Sequence, residues 1–230
     1  MAVPRDVRFM SLSNLAAVCG TLAGVGGFAH GVGEILQGSQ SPDALVFDSW
    51  AEGRIAENLG GEPAMTLVPN LLIAGILTIG VSLALIAWSI CLLERRHAGG
   101  VLVLLSLLLL LVGGGFGPPL LGMFAGLVAG GAHASRRTWG RRFADGAGRV
   151  LAASWPGLFW LTALNAVFLV VGSLVVGAAL DLAVPDLFVY SLFLMVVTMP
   201  LATLAGIASR IRTRTGHEAG AVAASAVQQR

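Results

Sequence analysis

The stretch Gly99–Ala134, GGVLVLLSLLLLLVGGGFGPPLLGMFAGLVAGGAHA, holds no formally charged residue, and its first half is a leucine run that is apolar on every face of a helix. A helix without a polar face needs an apolar solvent, and lipid is that solvent. At its centre, Gly113-Gly114-Gly115-Phe116-Gly117-Pro118-Pro119 joins four glycines of low helix propensity to two prolines that donate no backbone hydrogen bond. The helix is expected to break there.

Flanking charge gives the break its meaning. Arg95 and Arg96 precede the stretch, and Arg136, Arg137, Arg141 and Arg142 follow it. Arginine collects on the cytoplasmic side of membrane proteins, so both flanks belong on one side and the chain must go out and come back. Each limb has about 17 residues and reaches roughly 26 Å, near the hydrocarbon thickness. The alternative is a re-entrant segment, giving five spans, whose broken backbone is shielded by other helices.

The whole chain agrees with a lipid environment. Of 230 residues, 56% are hydrophobic and 11% are charged, against about 25% charged in a soluble domain. The expected fold is an all-α bundle of six transmembrane helices with both termini cytoplasmic. The spans fall at about 12–37, 65–93, 99–115, 118–134, 157–180 and 187–209. An outer loop covers 38–64, a basic cytoplasmic loop 135–156, and a disordered cytoplasmic tail 213–230. Residues 1–212 form one domain. All basic residues are arginines, and only Arg54 lies outside the cytoplasmic side of this topology. Arg5 and Arg8 precede the first apolar stretch as in a signal peptide, but no A-x-A site follows, so it reads as an uncleaved span. Cys19 and Cys91 fall inside spans and read as reduced core thiols.

Polar residues inside spans are the functional signal. His30, Glu34 and Gln37 are spaced i, i+4, i+7 and share one helix face. Such groups are costly in lipid and often line an ion or proton path. The plainer account places Glu34 and Gln37 at the interface, with His30 hydrogen-bonded to Glu34. His30 and Glu34 could share a metal ion, but a site normally needs three or four ligands, so the metal stays unknown. At the start of the second span, Glu62, Thr66 and Asn70 are spaced i, i+4, i+8 near the same level. Together the six residues make a candidate polar pocket facing outward.

The outer loop is acidic, with Asp43, Asp48, Glu52, Glu57 and Glu62 against Arg54. Within it, Asp48–Leu59 suits a short helix capped by Asp48 or Ser49, with Trp50 at headgroup level. Gly20, Gly24, Gly27 and Gly31 in the first span, and Gly122, Gly126 and Gly130 in the fourth, have the spacing that lets helix backbones approach closely. In the basic loop, arginines from Arg136 to Arg149 alternate with Trp139, Phe143, Val150 and Trp155, a pattern suited to anionic headgroups and not to nucleic acid. Gly140, Gly146 and Gly148 argue there against one continuous helix. Asn165 reads as interhelical glue.

The runs GGFAHGVGEILQG (Gly26–Gly38), GEPAMTLVPNLLIAGIL (Gly61–Leu77) and ERRHAGGVLVLLSLLLLLVGGGFGPPLLG (Glu94–Gly122) resemble a group of uncharacterised bacterial polytopic membrane proteins. The resemblance covers roughly the first 135 residues. It implies a bacterial cytoplasmic-membrane protein and brings no activity, substrate, cofactor or site with it.

No P-loop, G-x-S-x-G, H-E-x-x-H or C-x-x-C motif occurs. No catalytic residue and no cofactor is expected. Three functions stay open: moving or sensing a small solute or ion through the outer pocket, a structural or accessory subunit that packs against itself or a membrane partner, and an intramembrane enzyme using His30 and Glu34 on lipid or quinone.

Overall fold

The structure is a computed structural model. It describes residues 10–132, 143, 146–172, 175–176, 180 and 185–228, with side chains in the last helix described from 186 to 213. Arg136, Arg137, Trp139, Gly140, Arg141, Arg142 and Asp181, the end expected for the fourth span at 134, and 173–174 and 177–179 of the fifth lie outside the described residues.

Helix α1 (Leu12–Gln37) starts where Ser11 accepts a hydrogen bond from the Asn14 amide at 3.0 Å, and it ends at Gly38, whose φ of 82° a side chain would resist. It is the hub of the fold. α1 packs along α3 (Leu71–Cys91) and α5 (Gly117–Ala132) and touches α6 (Gly146–Val167) and α7 (Pro185–Gln228). α4 (Ala98–Val112) packs on α3 and α5, and α6 pairs with α7. α6 runs on as a π-helical turn, Phe168–Gly172.

Among the described residues four helices are long and apolar enough to cross a membrane: Leu12–Gln37, Leu71–Cys91, Gly146–Gly172 and Asp186–Thr213. They expose large apolar side chains outward, such as Ile73, Ile76 and Leu83 on α3 and Phe193 and Val197 on α7. The two hairpin limbs are shorter, 15 residues in α4 and 16 in α5. Each reaches only about 22–24 Å, against a hydrocarbon core of about 30 Å.

The interior is built from small residues. At the α1–α3 crossing a Cβ on Gly31 would meet the Gly75 carbonyl, and one on Gly75 the Gly31 carbonyl. At the α4–α5 crossing Gly99 stands against Gly126 in the same way. Backbones this close gain dispersion contacts that larger side chains would prevent. Asn165 donates to the Ser191 carbonyl at 2.9 Å and accepts from its hydroxyl at 2.8 Å, which ties α6 to α7.

A small cap covers one end of the bundle. Strand β1 (Val46–Asp48) pairs antiparallel with β2 (Pro63–Met65), in the register Val46↔Met65, and the short helix α2 (Arg54–Leu59) lies between them. After β2 the extended chain straps onto the end of α4. The Leu67 amide donates to the Leu111 carbonyl at 2.9 Å, and Thr66 Oγ1 donates to the Val112 carbonyl at 3.1 Å. Thr78 Oγ1 donates to Val112 as well, at 3.0 Å. These are last-turn carbonyls with no partner within their own helix, so strap and α3 satisfy the break in the apolar stretch.

Several boundaries differ from those expected. The second span starts at Leu71 instead of 65, because Pro63 and Pro69 hold the preceding chain extended. Asp48 belongs to β1, and the short helix is only Arg54–Leu59, preceded by Gly53 at φ 89°. α6 begins at Gly146, ahead of the expected 157, and carries Pro156 inside it despite Gly146 and Gly148. The tail expected to be disordered is helical to Gln228, in line with the high helix propensity of its alanines. Cys19 is buried, whereas Cys91 is exposed and not a core thiol.

Candidate functional site

The last two turns of α1 bring two ionisable side chains under the cap. Glu34 is fully buried. Its Oε2 lies 3.4 Å from Thr78 Oγ1, while Oε1 has no hydrogen-bond partner among the described residues. The carboxylate presses on Gly113 at the end of α4, where φ is 127° and a Cβ would collide with it. A helix C-terminus carries the negative end of the helix dipole. Glu34 therefore meets apolar surroundings and an unfavourable field together, and among the described residues no cation pairs with it.

One turn earlier, His30 Nδ1 is 2.8 Å from Ser49 Oγ and Nε2 is 3.4 Å from Glu62 Oε2. The imidazole rests on Gly115, whose φ is 73°. Two proton arrangements satisfy this chain. With Ser49 donating to Nδ1, Nε2–H faces the Glu62 carboxylate. With Nδ1–H donating to Ser49, Nε2 accepts from a protonated Glu62.

Both ring nitrogens of His30 are thus committed to the cap, and the expected His30–Glu34 hydrogen bond is replaced by these partners. Glu62 is 11% exposed, and burial pushes its carboxyl up to about 7. Its backbone, at φ 50°, follows Gly60 and Gly61 at φ 71° and 76°. A left-handed residue other than glycine costs roughly 1–3 kcal/mol, so the surrounding contacts hold Glu62 toward His30 against strain.

The six candidate residues divide. His30, Glu34, Glu62 and Thr66 meet around the Gly113–Gly115 turn. Gln37 instead clamps the cap, with Nε2 donating to the carbonyls of Asp48 at 3.0 Å and Ser49 at 2.8 Å. Asn70 caps α3 through the Ile73 amide and donates to Ser39 Oγ. Glu62, Thr66 and Asn70 do not share a helix face, because the chain between them is extended. Ser49, Thr78, Gly113 and Gly115 also belong to the site, although the sequence marked Gly113 and Gly115 only as the helix break, Ser49 only as a cap, and Thr78 not at all. Trp50, expected at headgroup level, packs half-buried on Gly33.

The space beside the site is narrow. A cleft lined by His30, Glu62, Pro118, Leu169, Val170 and Phe188 gives the centre of a water molecule about 20 Å³, which is room for one water. A wider hollow of about 430 Å³ lies on the cap itself, between Gln37, Asp43, Asp48 and Leu71, apart from His30 and Glu34. No three His, Cys, Asp or Glu residues stand close enough to share a metal among the described residues.

The packing glycines also find partners inside the chain. Gly20 meets Ser89, Gly24 meets Ile86, and Gly27 meets Ser82 and Leu109. Gly122 meets Ser106 and Ala23, and Gly126 meets Gly99 and Val103. Gly130 has open space where a side chain would be, although its backbone backs onto Gly99.

No protein-family model, curated protein or solved structure matches this chain.

Proposed function

We propose that this is a multi-pass protein of a bacterial cytoplasmic membrane that moves or senses a small ion through Glu34, at the end of the bundle covered by the cap. One observation carries the reading: a fully buried carboxylate with one oxygen unpartnered, set against the C-terminus of a broken helix. An ionisable group kept in apolar surroundings with a single long contact, to Thr78 at 3.4 Å, is expensive, and function is the common reason for it. Six crossings, with α4 and α5 as a short hairpin and the arginine-rich ends inside, place the cap and the acidic residues 38–64 outside.

The test is Glu34→Gln in purified protein reconstituted into phosphatidylcholine–phosphatidylglycerol vesicles. Wild type is expected to give ion-gradient decay or a pH-dependent Trp fluorescence signal, and the variant to lose it while keeping its helical spectrum and monodispersity. Equal signals from both proteins would overturn the reading. Sidedness is tested separately with Arg95→Cys and Arg142→Cys in a background lacking Cys19 and Cys91. An impermeant maleimide should reach both from the same face, and labelling from opposite faces would remove the hairpin.

A structural or accessory role draws on the narrow cleft and predicts that Glu34→Gln changes nothing but stability, but the glycines expected to meet a partner, Gly130 aside, pack within this chain.

A further inference from the structure

We propose that the ion is the proton and that the His30–Glu62 pair is its loading station, set apart from Glu34 by the Gly113–Gly115 turn. This rests on the reading of Glu34 given above and adds both the ion's identity and its route.

Space is the first argument. The cleft beside His30 and Glu62 has room for a single water, and its other walls are the apolar Ala29, Pro118, Leu169, Val170 and Phe188. Glu34 is packed directly against Gly113, and no cluster of metal ligands surrounds it among the described residues. A metal cation needs a cage of several oxygens, whereas a proton needs only an acceptor atom and a donor in line with it.

Connectivity is the second. Ser49 Oγ is hydrogen-bonded to His30 Nδ1 at 2.8 Å and Glu62 Oε2 stands 3.4 Å from Nε2, an alignment with two proton arrangements, as a relay requires. A hydronium in the cleft transfers its proton to Glu62 and leaves water. The Glu62 O–H then breaks as an N–H forms on His30 Nε2, and when the turn shifts that N–H breaks as an O–H forms on Glu34 Oε1, which leaves His30 neutral again. No bond other than O–H and N–H changes, so no further reactant is consumed.

The third argument is the turn between the two stations. His30 and Glu34 are one helical turn apart on the same face of α1, yet one rests on Gly115 and the other on Gly113. The backbone of the turn separates them, so handing the proton on requires the turn to shift. Glycines at φ 127° and 73° allow that movement at low cost.

Burial sets Glu62 near the middle of the physiological range, about 7, where loading and unloading are both accessible. The groups facing it are His30 from α1 and Asp48 from β1, whose side chain lies against Gly61. Arg54 and Glu57 on α2 are exposed, and the α5, α6 and α7 residues on the cleft are apolar.

The experiment is infrared difference spectroscopy of the full chain in the same vesicles, across pH steps, with proton uptake followed by a trapped pH dye. Wild type should show two protonated-carboxyl bands. Glu62→Gln should remove the band that titrates near 7 and slow uptake at least tenfold, and Glu62→Asp should restore part of both. His30→Gln should slow uptake while leaving both bands. Glu34→Gln should remove the second band and abolish uptake. If Glu34→Gln abolishes uptake while Glu62→Gln and His30→Gln leave rate and bands unchanged, the loading station is wrong and the reading of Glu34 stands. Uptake that follows sodium concentration and not pH would overturn the proton assignment alone. If none of the variants has an effect, both fall.

Discussion

The Glu34 carboxylate occupies the space that a side chain at Gly113 would fill. The contact joins the last turns of α1 to the break in the apolar stretch, residues nearly eighty positions apart in sequence. It makes the glycine at 113 a requirement of the site as well as of the turn.

Gly113→Ala should therefore destabilise the fold by about 2 kcal/mol or more, combining backbone strain with a displaced carboxylate. Gly130→Ala, on an open face of α5, should leave stability unchanged or slightly raised. Thermal unfolding in detergent compares the two. Equal losses would mean that Glu34 does not depend on the bare backbone at 113.

Thr78 holds the same corner by donating to the Val112 carbonyl at 3.0 Å and lying 3.4 Å from Glu34. Thr78→Val keeps the shape and removes the hydroxyl, so a loss of roughly 1–3 kcal/mol is expected. Thr78→Ser should recover most of it. Thr66 continues to donate to Val112 in both variants, which places the expected loss toward the lower end.

Glu62 gives the fold a pH dependence whose sign is fixed. Its carboxyl rises from 4.5 to about 7 on burial, so the protonated form is favoured in the folded state. The stabilisation is fully present below pH 4.5 and is lost as pH rises through about 7. It amounts to at most about 3 kcal/mol. Glu62→Gln should flatten this fall between pH 4.5 and 7 in a series of thermal melts. A slope unchanged by the substitution would show that another group titrates.

Asn165 and Ser191 exchange hydrogen bonds between α6 and α7. A double-mutant cycle with Asn165→Ala and Ser191→Ala should return a coupling of about 0.6–1.7 kcal/mol, the scale of such bonds in membrane helices. Coupling near zero would leave α6 and α7 joined by packing and by the Asn165 bond to the Ser191 carbonyl, which Ser191→Ala keeps.

The legible part of the fold was what short-range periodicity controls. Leu12–Gln37 follows from its apolar run, and the break after Val112 follows from four glycines and two prolines. His30 and Glu34 stood out because ionisable groups inside an apolar helix are conspicuous. The part that Ser49, Thr78, Gly113 and Gly115 play in the site did not, since each joins it only through a contact from another element. The error at Glu62, Thr66 and Asn70 came from reading helical spacing across Pro63 and Pro69, where the chain is extended. Glu62 and Thr66 still reach the site, through the strap and not along a helix face.

The strap has a consequence for how the chain is made. Thr66 and the Val112 carbonyl it holds are 46 residues apart, and ribosomes add about 5–20 residues per second. For several seconds the newly synthesised residues around the cap exist without the helix end they close upon. Substitutions at Thr66 or Leu67 should accordingly act during biogenesis, lowering the yield of inserted protein before they alter its behaviour once assembled.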